Sequence, residues 1–412
     1  MKYGCIGEHM KHSFSKEIHN ALADYQYEIK EIPREEIDLF FKNREFCAIN
    51  VTIPYKETVI PHLYFIDEHA KKIGAINTVV NKDGKLYGYN TDFYGMLKLI
   101  EYAKIDLKGK KVAILGAGGT SKTAKAVAEF LGANKILTIS ISEKSGCISY
   151  EQLYLEHADT EIIINTSPCG MYPKVYDIPL DISKFKKLSG VVDAVYNPLK
   201  TGLVLQAEKA NIKAIGGLYM LVAQAVRASE IFLDTKYTDD VIDTVFSNIK
   251  RQKENIVLIG MPSSGKSTVG ALLAKKLNRE FIDTDTLIAQ KVGSSVSSFI
   301  DENGIESFRQ LESETVKEIS CKNALVIATG GGVPLSESNV QALKLNSKIY
   351  FIDRPLSELT PTKDRPLSRT RDAVEKLYNE RYGIYEKSAD VIIGADCDSN
   401  GVADKIEEDF TK

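Results

Sequence analysis

Several absences narrow the reading before any motif is considered. The six cysteines (Cys5, Cys47, Cys147, Cys169, Cys321, Cys397) are scattered through 412 residues with no CxxC pair. That argues against a disulfide framework and for reduced thiols in the cytoplasm. No run of 18 apolar residues occurs, and Met1-Lys-Tyr-Gly-Cys-Ile-Gly7 has no basic segment leading into an apolar one, so neither a membrane span nor export is expected. Charge of one sign is also missing. Lys plus Arg (53) nearly balances Asp plus Glu (56), for a formal charge of -3. Nothing draws the whole chain to nucleic acid or to an anionic membrane, and any anion must be bound locally. His9, His12 and His19 match no standard metal-ligand spacing. There is no internal repeat and no low-complexity segment.

What is present is the composition of a globular protein, 43% hydrophobic and 26% charged, long enough for two or three domains. Short strands alternate with helices over the first hundred residues. They end in a hairpin where Ile76–Val80 and Leu86–Tyr89 flank Asp83-Gly84, a pair suited to the positive φ angles of a tight turn. Lys110–Leu115 then reads as a strand, followed by a glycine turn, Gly116-Ala-Gly-Gly-Thr-Ser121, and a small-residue helix through Phe130. Apolar strands at 135–141, 161–165 and 191–195 with helices between them imply a parallel sheet. From Gly217 to Leu233 the residues Leu218, Leu221, Val222, Ala225, Ser229 and Phe232 share one helix face. The pattern breaks in a charged stretch, 248–254, read as a linker, and a second α/β unit starts at Asn255. The two glycine turns differ in spacing, so the halves are not copies.

In the second half, Gly260-Met-Pro-Ser-Ser-Gly-Lys266-Ser267 fits GxxxxGK[ST] between a strand and a helix, the context that motif requires. Its amides and the helix N-terminus suit phosphate oxygens, with Lys266 on the terminal phosphates and Ser267 on magnesium. Asp283 and Asp285, two apart, are expected at a strand end facing that site. Arg309 follows in a helix opening near Gly304, and Gly330, Gly331 and Gly332 follow an apolar strand where bare backbone can approach a ligand.

In this order these elements resemble the shikimate kinase family across 255–412. The resemblance implies a P-loop kinase domain with a parallel sheet, ATP as phosphoryl donor and Mg2+ held by Ser267 and, through water, Asp283. Gly260, Ser263, Ser264, Gly265, Lys266, Ser267 and Thr268 would bind nucleotide. Asp285 would contact the attacking hydroxyl and act as base, and Arg309 and Arg381 would hold a carboxylate, with the Gly330–Gly332 backbone lining the same pocket. Arg365 in Asp364-Arg-Pro-Leu367 would close from a lid. Two departures stand out. The family's Arg-x-Pro-Leu-Tyr is Arg381-Tyr-Gly-Ile-Tyr385 here, and the lid stretch 355–363 lacks the arginine that often precedes Arg-Pro-Leu, which implies altered ATP affinity.

In the first half, Ser13-Phe-Ser15, Asn50-Val-Thr52-Ile-Pro-Tyr-Lys56, Asn77-Thr and Asn90-Thr-Asp92 place polar residues in apolar or turn segments. Asp193-Ala-Val-Tyr196-Asn-Pro and Gly217-Leu-Tyr-Met-Leu-Val-Ala-Gln224 follow downstream. Together they resemble shikimate dehydrogenase over residues 1 to about 247. A lysine ammonium beside a ketone can polarise it and supply the proton that hydride transfer leaves wanting, and Lys56 is the candidate. Asp92 would orient it and bind a substrate hydroxyl. Ser13 and Ser15, with Tyr196, would take the substrate carboxylate, and Thr52, Asn77 and Gln224 the ring hydroxyls.

The resemblance assigns NADP(H) to Gly116, Ala117, Gly118, Gly119, Thr120, Ser121 and Gly217. At the end of the second strand the family usually has Asn-Arg-Thr, whose arginine grips the 2'-phosphate. This chain has Ser140-Ile-Ser142, with Lys144 nearby and no acidic residue for a ribose diol. NADP with weakened discrimination against NAD is the expectation. Residues 1–98 with 222–247 are expected as a discontinuous substrate domain and 99–221 as a Rossmann domain. The implied activity is reduction of 3-dehydroshikimate to shikimate followed by phosphorylation of shikimate. The alternatives are a quinate-type dehydrogenase beside another small-molecule kinase, or one half acting as a non-catalytic module. The oligomeric state stays open.

Overall fold

The computed structural model describes residues 1–8, 10, 13–361 and 369–412; Arg365, His9 and His12 lie outside the described residues. The chain divides into two compact units, Met1–Lys250 and Arg251–Lys412.

The first unit opens with a mixed sheet ordered β2-β1-β3-β5-β6-β4, made of β1 (Tyr3–Gly7), β2 (Tyr27–Glu31), β3 (Ala48–Val51), β4 (Phe65–Ile66), β5 (Thr78–Lys82) and β6 (Lys85–Tyr89). Helices α1 (Ser15–Leu22), α2 (Ile37–Asn43), α3 (Glu68–Ile73) and α4 (Asp92–Tyr102) accompany it. The expected hairpin is β5–β6, antiparallel, with Asp83 at φ 51° and Gly84 at φ 79° supplying its left-handed turn.

A wholly parallel sheet follows, ordered β11-β10-β9-β7-β8. Its strands are β7 (Lys111–Leu115), β8 (Lys135–Ile139), β9 (Ile162–Asn165), β10 (Gly190–Asp193) and β11 (Lys213–Ile215), joined through α5 (Gly119–Phe130), α6 (Tyr150–Glu156) and α7 (Gly202–Lys209). The four residues of β9 and of β10 are all buried, as a sheet covered on both faces requires. Helices α8 (Leu218–Leu233) and α9 (Val241–Lys253) complete the unit. α8 packs closely on α4, where a Cβ on Gly95 would meet the Met220 carbonyl oxygen at 2.7 Å. Residues 248–253, read as a linker, are instead the last turns of α9. Ile249, buried among core residues, carries the apolar face of α9 into that charged stretch, which hides the helical period in the sequence.

The second unit is a parallel sheet ordered β13-β14-β12-β15-β16. It comprises β12 (Asn255–Ile259), β13 (Glu280–Asp283), β14 (Leu325–Ala328), β15 (Ser347–Asp353) and β16 (Val391–Gly394). The helices are α10 (Lys266–Leu277), α11 (Thr284–Val292), α12 (Val296–Ser320), α13 (Glu337–Lys344), α14 (Arg371–Ser388) and α15 (Ser399–Thr411). Each of the two wholly parallel sheets has its glycine turn at the C-terminal end of an inner strand, β7 and β12. Ligands of doubly wound sheets are bound at such topological switch points. α12 is broken at Gly304 (φ 83°, ψ 161°), so Arg309 stands on its second segment.

Candidate active sites

In the first unit, Lys56 follows β3 and Asp92 opens α4, where the positive end of the helix dipole favours a carboxylate. The Lys56 Nζ donates to Asp92 Oδ2 at 2.5 Å, with both side chains largely out of solvent at 14% and 10% exposure. Next to Asp92 a buried relay orders the polar groups. Asn77 Nδ2 donates to Thr91 Oγ1 (3.0 Å), Asn77 Oδ1 accepts from the Thr91 amide (2.7 Å), and Thr91 Oγ1 donates to Gln224 Oε1 (3.4 Å). Asn77 and Gln224, 147 residues apart in sequence, are thereby joined through Thr91. Asn50, to which the sequence reading gave no role, donates to the Asn77 carbonyl (3.3 Å) and accepts from the Tyr27 hydroxyl (2.7 Å).

Ser13 and Ser15 lie together, hydroxyl to hydroxyl at 3.0 Å, and Ser13 is a hydrogen-bond neighbour of Tyr196, whose phenol burial pushes up to about 12. The buried Cys5 thiol, also pushed up to about 12 by burial, feels the charges of both Lys56 and Asp92 and is an electrostatic neighbour of Tyr196. The two groups of predicted residues therefore border one region. Thr52 lies against Gly7, where a Cβ would meet its methyl at 2.6 Å. His19 is buried, stacked on Tyr27 at 3.9 Å and hydrogen-bonded to Tyr25 at 2.5 Å; burial lowers it to about 3. It is a core ring.

A cleft of about 840 Å³ runs from Lys56 and Glu57 past Gly116, Ala117, Gly118, Gly119 and Thr120 to Ser140, Ser142 and Lys144. Gly116 takes φ 108°, and a Cβ there would meet Thr166 Oγ1 at 3.0 Å. A Cβ on Gly119, first residue of α5, would come within 3.7 Å of the Lys56 side chain. The turn and the catalytic candidate thus share one wall, and the turn at the α5 N-terminus would hold a pyrophosphate. At the far end the hydroxyls of Ser140 and Ser142 are 3.3 Å apart and Lys144 Nζ reaches the Ala117 carbonyl at 3.5 Å, all exposed. On the rim, Lys122 Nζ on α5 pairs with Glu57 at 2.7 Å. Two expected cofactor residues have packing reasons. Ser121 is buried beneath the turn, and Gly217 is outside the cleft lining, where a Cβ would strike the Ala194 carbonyl oxygen at 2.2 Å.

Behind this turn lies Asp193, fully buried. Oδ1 accepts from Asn165 Nδ2 (2.9 Å) and the Val195 amide (3.0 Å), and Oδ2 from Thr201 (2.7 Å). Burial outweighs those three donors and raises it to about 6. Asn165 in turn receives the Ser167 amide (3.1 Å) on the segment that lines the cleft.

In the second unit the loop from Gly260 is wound tightly, with Gly260 at φ 146°, Ser263 at φ 66° and Gly265 at φ 95°. Such alternation turns successive amides to one side. Lys266 is buried and its Nζ donates to the Gly260 and Met261 carbonyls at 2.9 and 2.8 Å. Ser267 Oγ donates to Asp283 Oδ2 at 2.5 Å. These two hard oxygen donors, with phosphate oxygens and water, suit magnesium. Ser264 is buried in the loop and Thr268 continues α10.

Asp283 caps α11 through the Thr286 amide (3.1 Å). Asp285 is therefore in the first turn of that helix, not at the strand end the sequence reading gave it, because an aspartate after a strand makes a good N-cap.

The three glycines each lie against a candidate site residue. A Cβ on Gly330 would meet Asp285 Oδ1 at 2.5 Å, one on Gly332 would collide with the Arg309 guanidinium, and the Gly331 carbonyl accepts from Arg381 (3.3 Å) and Tyr385 (2.6 Å). Gly383 sits inside unbroken α14 in open space, so the missing proline leaves the Arg381 and Tyr385 contacts in place. Arg309 is held by Glu312 at 2.7 Å; that carboxyl is almost wholly buried and its pKa is raised by burial, against the pull of Arg309. Glu312 was missed, although its i,i+3 spacing from Arg309 is the signal that finds such pairs.

Comparison with known proteins finds matches in both units. The family model for the shikimate dehydrogenase substrate binding domain matches residues 5–79 and the shikimate kinase model matches 262–411. The shikimate dehydrogenase (NADP(+)) of Clostridium perfringens is 35% identical over 265 residues, 60% of this chain and 98% of the relative. A crystal structure of shikimate dehydrogenase 1 from Peptoclostridium difficile superposes with TM-score 0.56 at 34% identity, covering 60% of this chain and 98% of the other. A chorismate mutase/shikimate 5-dehydrogenase fusion from Clostridium acetobutylicum does so with TM-score 0.56 at 33% identity, covering 60% and 96%.

Proposed function

We propose, from the premise that this chain belongs to the shikimate dehydrogenase family and joins to it a shikimate kinase domain, that its two units act in succession on one ring acid. The first reduces 3-dehydroshikimate to shikimate with NADPH, and the second transfers the terminal phosphoryl group of ATP to the 3-hydroxyl of shikimate. The observation that carries the first step is the Lys56–Asp92 pair at 2.5 Å beside the dinucleotide turn. NADPH, when bound, supplies hydride. Lys56 donates to the ketone oxygen and delivers its proton as the alkoxide forms, while Asp92 keeps the ammonium aimed and accepts from a ring hydroxyl. Ser13, Ser15 and Tyr196 hold the carboxylate, and the Asn77–Thr91–Gln224 relay fixes which ring hydroxyls fit.

In the second unit the tight loop and Lys266 would hold the phosphates, with magnesium held by Ser267 and, through water, by Asp283. Arg309 and Arg381 hold the substrate carboxylate, and Asp285 accepts the proton of the attacking hydroxyl. NADP is preferred on family grounds, with Ser140, Ser142 and Lys144 offering weaker 2'-phosphate contacts than an arginine would. A cytoplasmic location accords with six free cysteines. Among the described residues no helix is long and apolar enough to cross a membrane.

The test is to incubate the chain with 3-dehydroshikimate, NADPH and ATP and to identify products over time. Lys56→Ala should lower NADPH oxidation about a thousandfold and still phosphorylate supplied shikimate; Lys266→Ala should do the reverse. Appearance of shikimate 3-phosphate without dependence on Lys266 would refute the second assignment.

A further inference from the structure

β15 lies beside β12, the strand that feeds the phosphate loop, and ends at Asp353-Arg354. The side chain of Arg354, 18% exposed, bends back to this loop. Its Nε donates to the Ser264 carbonyl oxygen at 3.2 Å, and its Nη1 is held by Glu358 at 2.8 Å. The Ser264 carbonyl and the Gly265 amide belong to one planar trans peptide, so they point in opposite directions. A donor that holds this carbonyl outward therefore holds the Gly265 N–H inward, toward the space where phosphate oxygens lie. Because the donor is a cation, it also polarises the peptide and strengthens that N–H.

The same corner is fastened on its other side. Tyr382, next to Arg381 on α14, donates its hydroxyl to Asp353 at 3.0 Å, and Arg371 at the start of α14 donates to the Leu356 and Leu359 carbonyls at 2.8 Å each. Ser263 donates to the Thr360 carbonyl at 2.9 Å, a second link between the segment and the loop.

We propose that Arg354 is a nucleotide-positioning residue, and that Asp353-Arg354 straps the phosphate loop to the helix that carries Arg381. This rests on the kinase reading above and adds to it a residue outside the glycine-loop motif, in a chain whose 355–363 segment has no arginine. Steady-state kinetics of the full chain, with ATP and shikimate varied in turn, tests it; the unfolding temperature of each variant reports folding of the second unit, and the dehydrogenase rate, which belongs to the first, reports the amount of protein.

Arg354→Gln should raise KM for ATP about tenfold, leave kcat within about twofold and leave NADPH oxidation unchanged; Arg354→Lys should recover part of the loss. Tyr382→Phe should give a smaller rise in KM for ATP, and the double variant less than the product of the two single effects. An unchanged KM for ATP in Arg354→Gln overturns the proposal. So does an equal fall in kcat with a lowered unfolding temperature and no recovery by lysine, which marks a purely structural role. If the unaltered chain transfers no phosphoryl group to shikimate, the kinase reading itself is lost, an outcome distinct from either.

Discussion

On the proposed reading the two glycine turns meet the same demand, phosphate oxygens offered to backbone amides, by different means. In the first, Gly116 alone takes a left-handed angle, Gly118 is extended with open space where a side chain would go, and the turn forms one wall of a wide cleft. In the second, Gly260, Ser263 and Gly265 are all left-handed, and the loop is tied from outside by Arg354 and by Thr360. On that reading the first turn depends on a helix N-terminus and would leave recognition to side chains at the end of β8. The second depends on conformation itself. Backbone changes should therefore damage the second far more than the first.

The largest contrast should come from alanine at Gly260. There φ is 146° and the new Cβ would sit 2.8 Å from the Ile352 carbonyl oxygen. A fall in phosphoryl transfer of about a hundredfold is expected, from left-handed strain and lost cradle geometry together; activity within threefold of the parent would show the loop is more forgiving than its angles imply. Asp193 comes next. Its carboxyl is about 6 in the folded state against an ordinary 3.8, so well below pH 4 both states are protonated and burial carries no electrostatic penalty. As pH rises from about 4 to about 6 the unfolded state ionises first and the folded state loses relative stability. Asp193→Asn escapes that penalty, and urea unfolding of the first unit should find it more stable than the parent by about 1 kcal/mol at pH 8, a gain that shrinks toward pH 4. A gain that grew on acidification would refute this.

Cofactor choice is the third test. Ser142→Arg should raise the NADP-over-NAD ratio of kcat/KM about tenfold, by supplying a planar cation where two hydroxyls and Lys144 now stand. The smallest effect should belong to Gly118→Ala, with dehydrogenase kcat/KM changing less than about threefold, since the position is open and extended, with a negative φ that any residue adopts.

Much of this was legible in the chain because the information is local. Asp83-Gly84 dictates a hairpin, and a strand, glycine turn and helix in sequence dictate each phosphate site. Lys56, Asp92, Lys266 and Asp285 stand in motifs that could be read directly. Less legible were the residues whose roles arise from contacts distant in sequence. Asn50 reaches Asn77 and Tyr27 across the mixed sheet, and Arg354 meets Ser264 only because β15 and β12 are neighbours. Asp285 was placed on a strand because the alternation of Asp283 and Asp285 looks like period two, whereas Asp283 ends the strand by capping a helix. The charged end of α9 hid its last turns, into which Ile249 carries the helix's apolar side.

The Lys122–Glu57 pair on the cleft rim has a mechanical consequence. Both side chains are about half exposed, 44% and 55%, and such a contact is worth at most about 1 kcal/mol, barely above thermal agitation. A contact that weak adds almost nothing to the stiffness of the rim, so the width of the cleft is set by the packing of β3 and α5 beneath it rather than by this pair.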